Sequence, residues 1–317
     1  MTCHSCRVET VKAGRNKYGV QRHKCQQCGK RFTEPHARKQ TPFGEDVRLS
    51  TEKVTMILHC LVEGNSVRST ARLCGVEPKT VLRLLILAGE RAERLLGDKL
   101  RNVPVKDVQA DEIWSFIGCK EKARRPEHDS TFGDCYTFVA IERDTKLVLN
   151  VAIGKRDQAT TDVFVEGLRL ATASQRFQIT TDGFVPYRSA IANTLDDRVD
   201  FAQLIKVYRA TPEGERRYSP AEVISTETVV GIGQPNPERI CTSHVERQNL
   251  SMRMGMRRFT RLTNGFSKKF ENHCAAIMLW FAFYNFCRIH QTLRITPAMA
   301  AGITDHVWDL KEIISYL

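Results

Sequence analysis

The chain has 317 residues, of which 42% are hydrophobic and 26% charged. That length allows two or three domains, and the composition excludes a disordered chain. Forty-eight Lys and Arg against 36 Asp and Glu leave a net charge of +12, which favours a polyanionic partner, nucleic acid first. The most apolar run, "AAIMLWFAFYNF" at 275–286, is too short to cross a bilayer and carries Asn285, so a buried helix and no membrane partner are expected. The opening "MTCHSCRVET" lacks an apolar signal core.

Four of the eleven cysteines fall in two close pairs, "CHSC" and "CQQC". Cys3, Cys6, Cys25 and Cys28 thus follow zinc-site spacing, and residues 1–40 are predicted to form a zinc ribbon. Each pair brings two thiolates to one face of the ion at about 2.3 Å, and Gly29 permits the left-handed turn behind the second pair. Two disulfides are the alternative reading. Four thiolates leave no open position for catalysis, so the zinc is expected to be structural. Ten Lys or Arg against two Glu in this segment point to contact with DNA phosphates. The seven remaining cysteines are scattered singly, as in a reducing compartment, and a cytoplasmic protein is expected.

After a polar linker, "QTPFGEDVRLS", residues 41–104 are predicted to form a helix-turn-helix module. Val54, Ile57, Leu58, Leu61 and Val62 repeat at helical spacing and Gly64 stops that helix. Ser66 caps a short second helix, Gly75 turns the chain, and Pro78 suits the first turn of a third carrying Val81, Leu84 and Leu85. In that layout the third helix enters the major groove, with Lys79, Thr80 and Arg83 facing base edges or phosphates. The charged stretch after it reads as an amphipathic connector or dimer contact.

From residue 105 the period changes. "VKDVQADEIWSFIG" alternates as a strand with Asp111 inside it, and "CYTFVAIERDTKLVLNVAIG" reads as two strands joined at residues 143–145. A helix (159–172), a strand ending at Asp182, a helix after Pro186 and a strand (199–207) follow. Three strands followed by alternating helices and strands make the ribonuclease-H-like α/β arrangement, predicted for 105–317, with a helical C-terminal tail and an insertion at 201–241. In this arrangement the first and fourth strands are neighbours, so Asp111 and Asp182 meet. The stretch "SHVERQNLSMRMGMRRF" (243–259) is predicted to be one helix. Val245, Met252, Met256 and Phe259 form its apolar stripe, and Glu246, Asn249, Arg253 and Arg257 an adjoining one. One carboxylate at its head, followed by arginines along a phosphate track, suits an acidic trio holding Mg²⁺ or Mn²⁺ against DNA.

Other residues are given lesser roles. Glu112 should point to the opposite face of its strand, as a surface or supporting group. Asp134 and Asp144 should be solvated turn acids, Asp162 a charge at a helix N-terminus, and Trp114 and Trp280 core. His244 is expected to play an ordinary polar role, and Tyr284, Asn285, Arg288 and His290 to support the site.

"QADEIWSF", "TTDGFVPY" and "SHVERQNLSMRMGMRRFTRLTNGFSKK", with the tail "FYNFCRIHQTLRITPAMAAGI", resemble the DDE transposases of bacterial insertion sequences, most of all the insertion sequence one family. The resemblance spans nearly the whole chain. It implies that Asp111, Asp182 and Glu246 are the first, second and third catalytic acids and magnesium ligands. It also implies binding of terminal inverted repeats, metal-dependent 3′-end cleavage, strand transfer into target DNA, and work as a dimer or larger homo-oligomer at the bacterial nucleoid. The separation between Asp182 and Glu246 is wider than is common in related families. A non-catalytic DNA-binding regulator and a structure-selective nuclease are the alternatives.

Overall fold

The computed structural model describes residues 1–3, 5–16, 19–33, 49–209 and 223–316. The expected linker at 40–50 and the middle of the expected insertion (210–222) lie mainly or wholly outside them. The chain divides into two compact units, Met1–Arg48 and Leu49–Leu317.

In the first unit, β1 (Val11–Arg15), β2 (Gln21–Lys24) and β3 (Arg31–Thr33) form an antiparallel sheet in that order. Gly29 sits at φ 71°, in the left-handed region that the turn after Cys28 requires. Cys3 and Cys25 are buried although so small a sheet offers little apolar cover.

The second unit begins with α1 (Thr51–Val62), α2 (Val67–Cys74) and α3 (Pro78–Lys99). Ser50 and Ser66 cap the first two helices by accepting from the backbone N–H of Lys53 and Ser69. Gly75, at φ 61°, closes α2. Ile57, Leu58, Val81, Leu84 and Leu85 are buried between the helices. The module's third helix and the charged connector expected after it form one helix of 22 residues. Its first turns expose Lys79 and Arg83, with Thr80 half-buried. Its later turns pack on α7 (Phe270–Ala282), where a methyl added at Gly89 would lie 2.4 Å from the Ala275 Cα.

The central sheet contains β4 (Asp107–Ile117), β5 (Gly133–Glu142), β6 (Val148–Gly154), β7 (Phe177–Thr181), β8 (Val199–Tyr208) and β9 (Val223–Ile232). Their order is β6-β5-β4-β7-β8-β9. β4, β7 and β8 are parallel; β5, β6 and β9 run against their neighbours. The helix α4 (Gln158–Ala171) packs on β6, and α5 (Pro186–Thr194) packs on α4. This mixed α/β sheet follows the strand and helix order expected from the sequence. The expected insertion at 201–241 begins too early: residues 201–208 belong to β8 of the central sheet, and its other described residues include β9, paired along most of β8, and a 3-10 turn at Pro237–Arg239.

The helix α6 (Ser243–Gly255) lies against β4. It is shorter than expected: it ends at Gly255, and a 3-10 turn at Arg257–Phe259 follows. A methyl at residue 255 would stand 2.6 Å from Trp280 Nε1, so the close approach there needs glycine. The apolar stripe survives the break, with Val245, Met252, Met256 and Phe259 all buried. A π turn (Phe283–Cys287) prolongs α7, and α8 (Pro297–Ala300) and α9 (Leu310–Ser315) close the unit. Trp280 is core as expected, whereas Trp114 is 39% exposed, its ring 5.7 Å from Phe116. No helix among the described residues is long and apolar enough to cross a membrane.

Candidate active site and metal centre

Register brings the two aspartates together. β4 and β7 pair in parallel with Ala110 opposite Thr181, so Asp111 and Asp182, the next residues on the two paths, stand side by side. Neighbouring strands are about 4.8 Å apart. β7 stops at Thr181 and the chain turns at Asp182, whose Oδ1 accepts from the Phe184 N–H at 2.9 Å. The missing strand beyond that point opens a cleft of about 710 Å³.

Glu112 joins them. Consecutive strand residues face opposite sides, and the two sides are occupied differently. On Asp111's side Asn249 of α6 donates to its Oδ2 at 2.9 Å. On Glu112's side Arg156, just ahead of α4, donates to Glu112 Oε2 at 2.9 Å, and the buried Tyr187 of α5 bears on it. Because β7 ends here, both acids reach Asp182 around the strand terminus. Ligand oxygens of Asp111, Glu112 and Asp182 lie within 4.8 Å of one another. The surface alternative for Glu112 is therefore corrected: its side chain is 2% exposed and Oε1 is buried.

Glu246 lines the same cleft from the first turn of α6. It lies outside the closest acidic cluster, and Lys206 of β8 and the Thr242 hydroxyl both donate to its Oε1. Arg156 likewise bridges Glu112 and Asp182, at 3.3 Å to the latter, and stacks 4.0 Å over Phe184. Two side-chain cations thus sit on the acids.

The crowding has an electrostatic cost. Burial, then the charge of Asp182, lifts the Asp111 carboxyl to about 6. The same two causes lift Glu112 to about 7. Carboxylates packed so closely fit a divalent cation with oxygen ligands. The sulfurs of Cys3, Cys6, Cys25 and Cys28 also lie within 4.8 Å of one another, and the Cys3–Cys28 separation is 3.6 Å. That is far beyond a disulfide and near the ligand–ligand edge of about 3.8 Å that a tetrahedral zinc–thiolate site has.

The other expected site residues scatter. Arg253 lines the acidic cleft, while Asn249 is buried with its amide on Asp111, so it fixes that carboxylate instead of facing outward. Arg257 leaves the stripe because the helix has ended; it lines a separate cavity. His244 meets Lys146 at 3.1 Å, and burial lowers its pKa. Asn285 clamps the Val148 backbone through both amide atoms, and the Tyr284 hydroxyl donates to the Lys146 carbonyl. These two support the start of β6 rather than the acids. Asp144 pairs with Arg239, Asp134 lies in β5, and Asp157 rather than Asp162 caps α4. Arg156 and Lys206 were missed by sequence reasoning. The one available signal was that Arg156 directly precedes the α4 cap at the mouth of the sheet.

No protein-family model matches the chain, and no curated protein matches it. Among solved structures it is similar to the piggyBac transposase in a synaptic complex with hairpin DNA, at 13% identity and a TM-score of 0.38, over 84% of this chain and 70% of that one. It is also similar to the Mos1 transposase in a paired-end complex, at 14% identity and a TM-score of 0.22, over 49% of this chain and 58% of that one. A Mos1 mariner paired-end complex with Mn scores 0.20 at 15% identity, over 47% of this chain and 57% of that one. Likeness this loose fixes no activity for the chain.

Proposed function

We propose that the protein is a DDE-type DNA transposase of the insertion sequence one kind, which cleaves the 3′ ends of its element and joins them to target DNA. The observation that carries this reading is the meeting of Asp111, Glu112 and Asp182 at the open end of β7, with Glu246 entering from α6. Asp111 and Asp182 hold Mg²⁺ or Mn²⁺ with Glu246, and Glu112 is their close neighbour. When bound, such a cation supplies the positive charge that activates a water or 3′ hydroxyl and offsets charge on the leaving oxygen. Asn249 orients Asp111, and Arg253 offers its guanidinium to a phosphate in the cleft. Lys206 and Arg156 offset the charge of the acids until the cation and substrate arrive.

Binding of the terminal repeats is assigned to the basic segment around the cysteine site and to the α1–α2–α3 module, with Lys79, Thr80 and Arg83 presented on the first turns of α3. The four cysteines hold a structural zinc. Two ends must be joined, so the working form is a dimer or larger.

The test is nicking of a labelled duplex bearing the element's end in Mg²⁺ or Mn²⁺. Asp182→Asn should lower nicking by about a thousandfold or more, the scale of losing a principal charge-stabilising group, while binding of the duplex is kept. Its weaker uptake of Mn²⁺, read by electron paramagnetic resonance, reports on the site independently of turnover. Equal nicking by the variant would remove the assignment. Cleavage without joining in a strand-transfer assay would instead identify a nuclease.

A further inference from the structure

A second concavity, of about 770 Å³, lies between α1–α2–α3 and the turn after α6. Its walls are apolar, built from Leu82 and Leu85 of α3, Met256, and Ala276, Leu279 and Trp280 of α7. Its charged lining is of one sign. Arg68, Arg257, Arg258 and Lys268 all reach it, and no Asp or Glu is among its described lining residues.

Arg258 is the telling member. Burial pulls its guanidinium down to about 10, yet no described carboxylate compensates it. Its one hydrogen bond to a described residue goes from Nη1 to the Ser267 hydroxyl at 2.9 Å. Behind it, His273 Nδ1 meets the same hydroxyl at 2.9 Å and His273 Nε2 meets Ser115 Oγ at 3.1 Å. Burial, then Arg258 itself, holds His273 down to about 3, so the ring stays neutral and the relay positions Ser267 without cancelling the arginine's charge. A half-buried cation with no counter-ion among the described residues is costly and calls for an anion from outside. Two further polar atoms of lining residues are buried and unpartnered, the donor Trp280 Nε1 and the acceptor Asn272 Oδ1.

The geometry points to a binding site for a nucleotide unit: phosphate on Arg258 and its three cationic neighbours, aromatic base in the apolar chamber behind them. An inorganic anion would leave the walls unused, and a neutral aromatic would leave the arginine uncompensated. The unit can come from two sources, a free mononucleotide or a nucleotide unstacked from a DNA strand. The inference does not depend on chemistry at the acids.

The test uses the full chain carrying Asp182→Asn, zinc retained and without added Mg²⁺ or Mn²⁺, so that it is read apart from nicking. Calorimetric titration with deoxyadenosine monophosphate should show one saturable site. Inorganic phosphate and deoxyadenosine should each bind at least about tenfold more weakly, the scale of one charge-assisted contact or one buried base. Arg258→Gln should lower the nucleotide's affinity about tenfold or more, with Arg258→Lys recovering part of it. Ala276→Phe should fill the chamber and abolish binding. Lys268→Gln, at an exposed position, guards against misfolding and should cost a few-fold. A single strand carrying 2-aminopurine separates the sources. Fluorescence that rises on binding, and does not rise with Ala276→Phe, assigns a strand nucleotide; an unchanged signal with saturable monophosphate binding assigns the free nucleotide. Phosphate binding as tightly as the monophosphate would overturn the inference. So would unaltered affinity in a folded Arg258→Gln, or no binding by either probe.

Discussion

Two concavities of similar size share one body of this protein and differ in almost every chemical respect. The cleft at the end of β7 gathers four acids and lets three cations, Arg156, Lys206 and Arg253, in among them. The cavity beside α3 gathers four cations and no described acid, over apolar walls. The acidic cleft is polar and open, as a site for hydrated divalent ions and a phosphodiester would be. The basic cavity has an apolar interior, which matters to a ligand with a base or similar flat body but not to an ion. The same segment feeds both. Helix α6 contributes Glu246, Asn249 and Arg253 to the cleft; after it stops at Gly255, Met256, Arg257 and Arg258 go to the cavity. A straight helix would have kept Arg257 on the acidic side.

The zinc proposed at the four cysteines gives the largest expected effect and limits the comparison. Removing the ion with a chelator should unfold residues 1–33, because metal binding supplies on the order of 10 kcal/mol to so small a unit. Circular dichroism should show loss of its sheet while the main thermal transition, that of 49–316, stays in place. If that transition moves as well, the two concavities cannot be studied independently of the cysteines.

Gly255→Ala attacks the junction itself. The new methyl meets the Trp280 ring nitrogen at 2.6 Å, and overpacking of this kind costs about 2 kcal/mol. A urea midpoint should fall accordingly, and both the nicking and the nucleotide assays should weaken together. Damage confined to one of them would show that the break does not couple the sites.

Asp111→Asn should do the opposite to stability. The folded chain raises this carboxyl from 3.8 to about 6, so the native state holds its proton more tightly than the unfolded one. Its contribution is therefore favourable below pH 4 and is lost as the pH rises through about 6. Replacing the charge with a neutral amide should raise stability at pH 8 by up to about 3 kcal/mol in metal-free buffer, and by little at pH 4. An equal gain at both pH values would mean that charge crowding is not the cause.

The smallest effect is expected from Asn249→Ala. It removes the amide that holds Asp111 Oδ2, a bond worth about 1 kcal/mol net, and should lower nicking about tenfold with no loss of nucleotide binding. A matching loss in the cavity would contradict the separation of the two sites.

Much of the fold could be read in the residues. Alternation located β4 through β8, apolar spacing located α1, Ser66 marked the start of α2, and Gly75 and Pro78 marked the turn before α3. The acids were legible where one residue and one strand end decide the matter, as for Asp111 and Asp182. Glu112 was not, because alternation places it on the far face and only the early end of β7 lets it return. Arg156, Lys206 and the uncompensated Arg258 were invisible for a similar reason: their partners lie 26, 40 and 9 residues away in the chain.

By itself the sequence determined the periodicities, the caps, the cysteine spacing and the excess of positive charge, since each depends on neighbours a few residues apart. Tertiary structure alone decided which charges meet. It did so through the register that sets Ala110 beside Thr181, the close packing that ends α6 at Gly255, and the burial that leaves one arginine without a described acid. Those are properties of surfaces brought together from distant parts of the chain, where electrostatic energy depends on distance and solvent exclusion and not on order along the backbone.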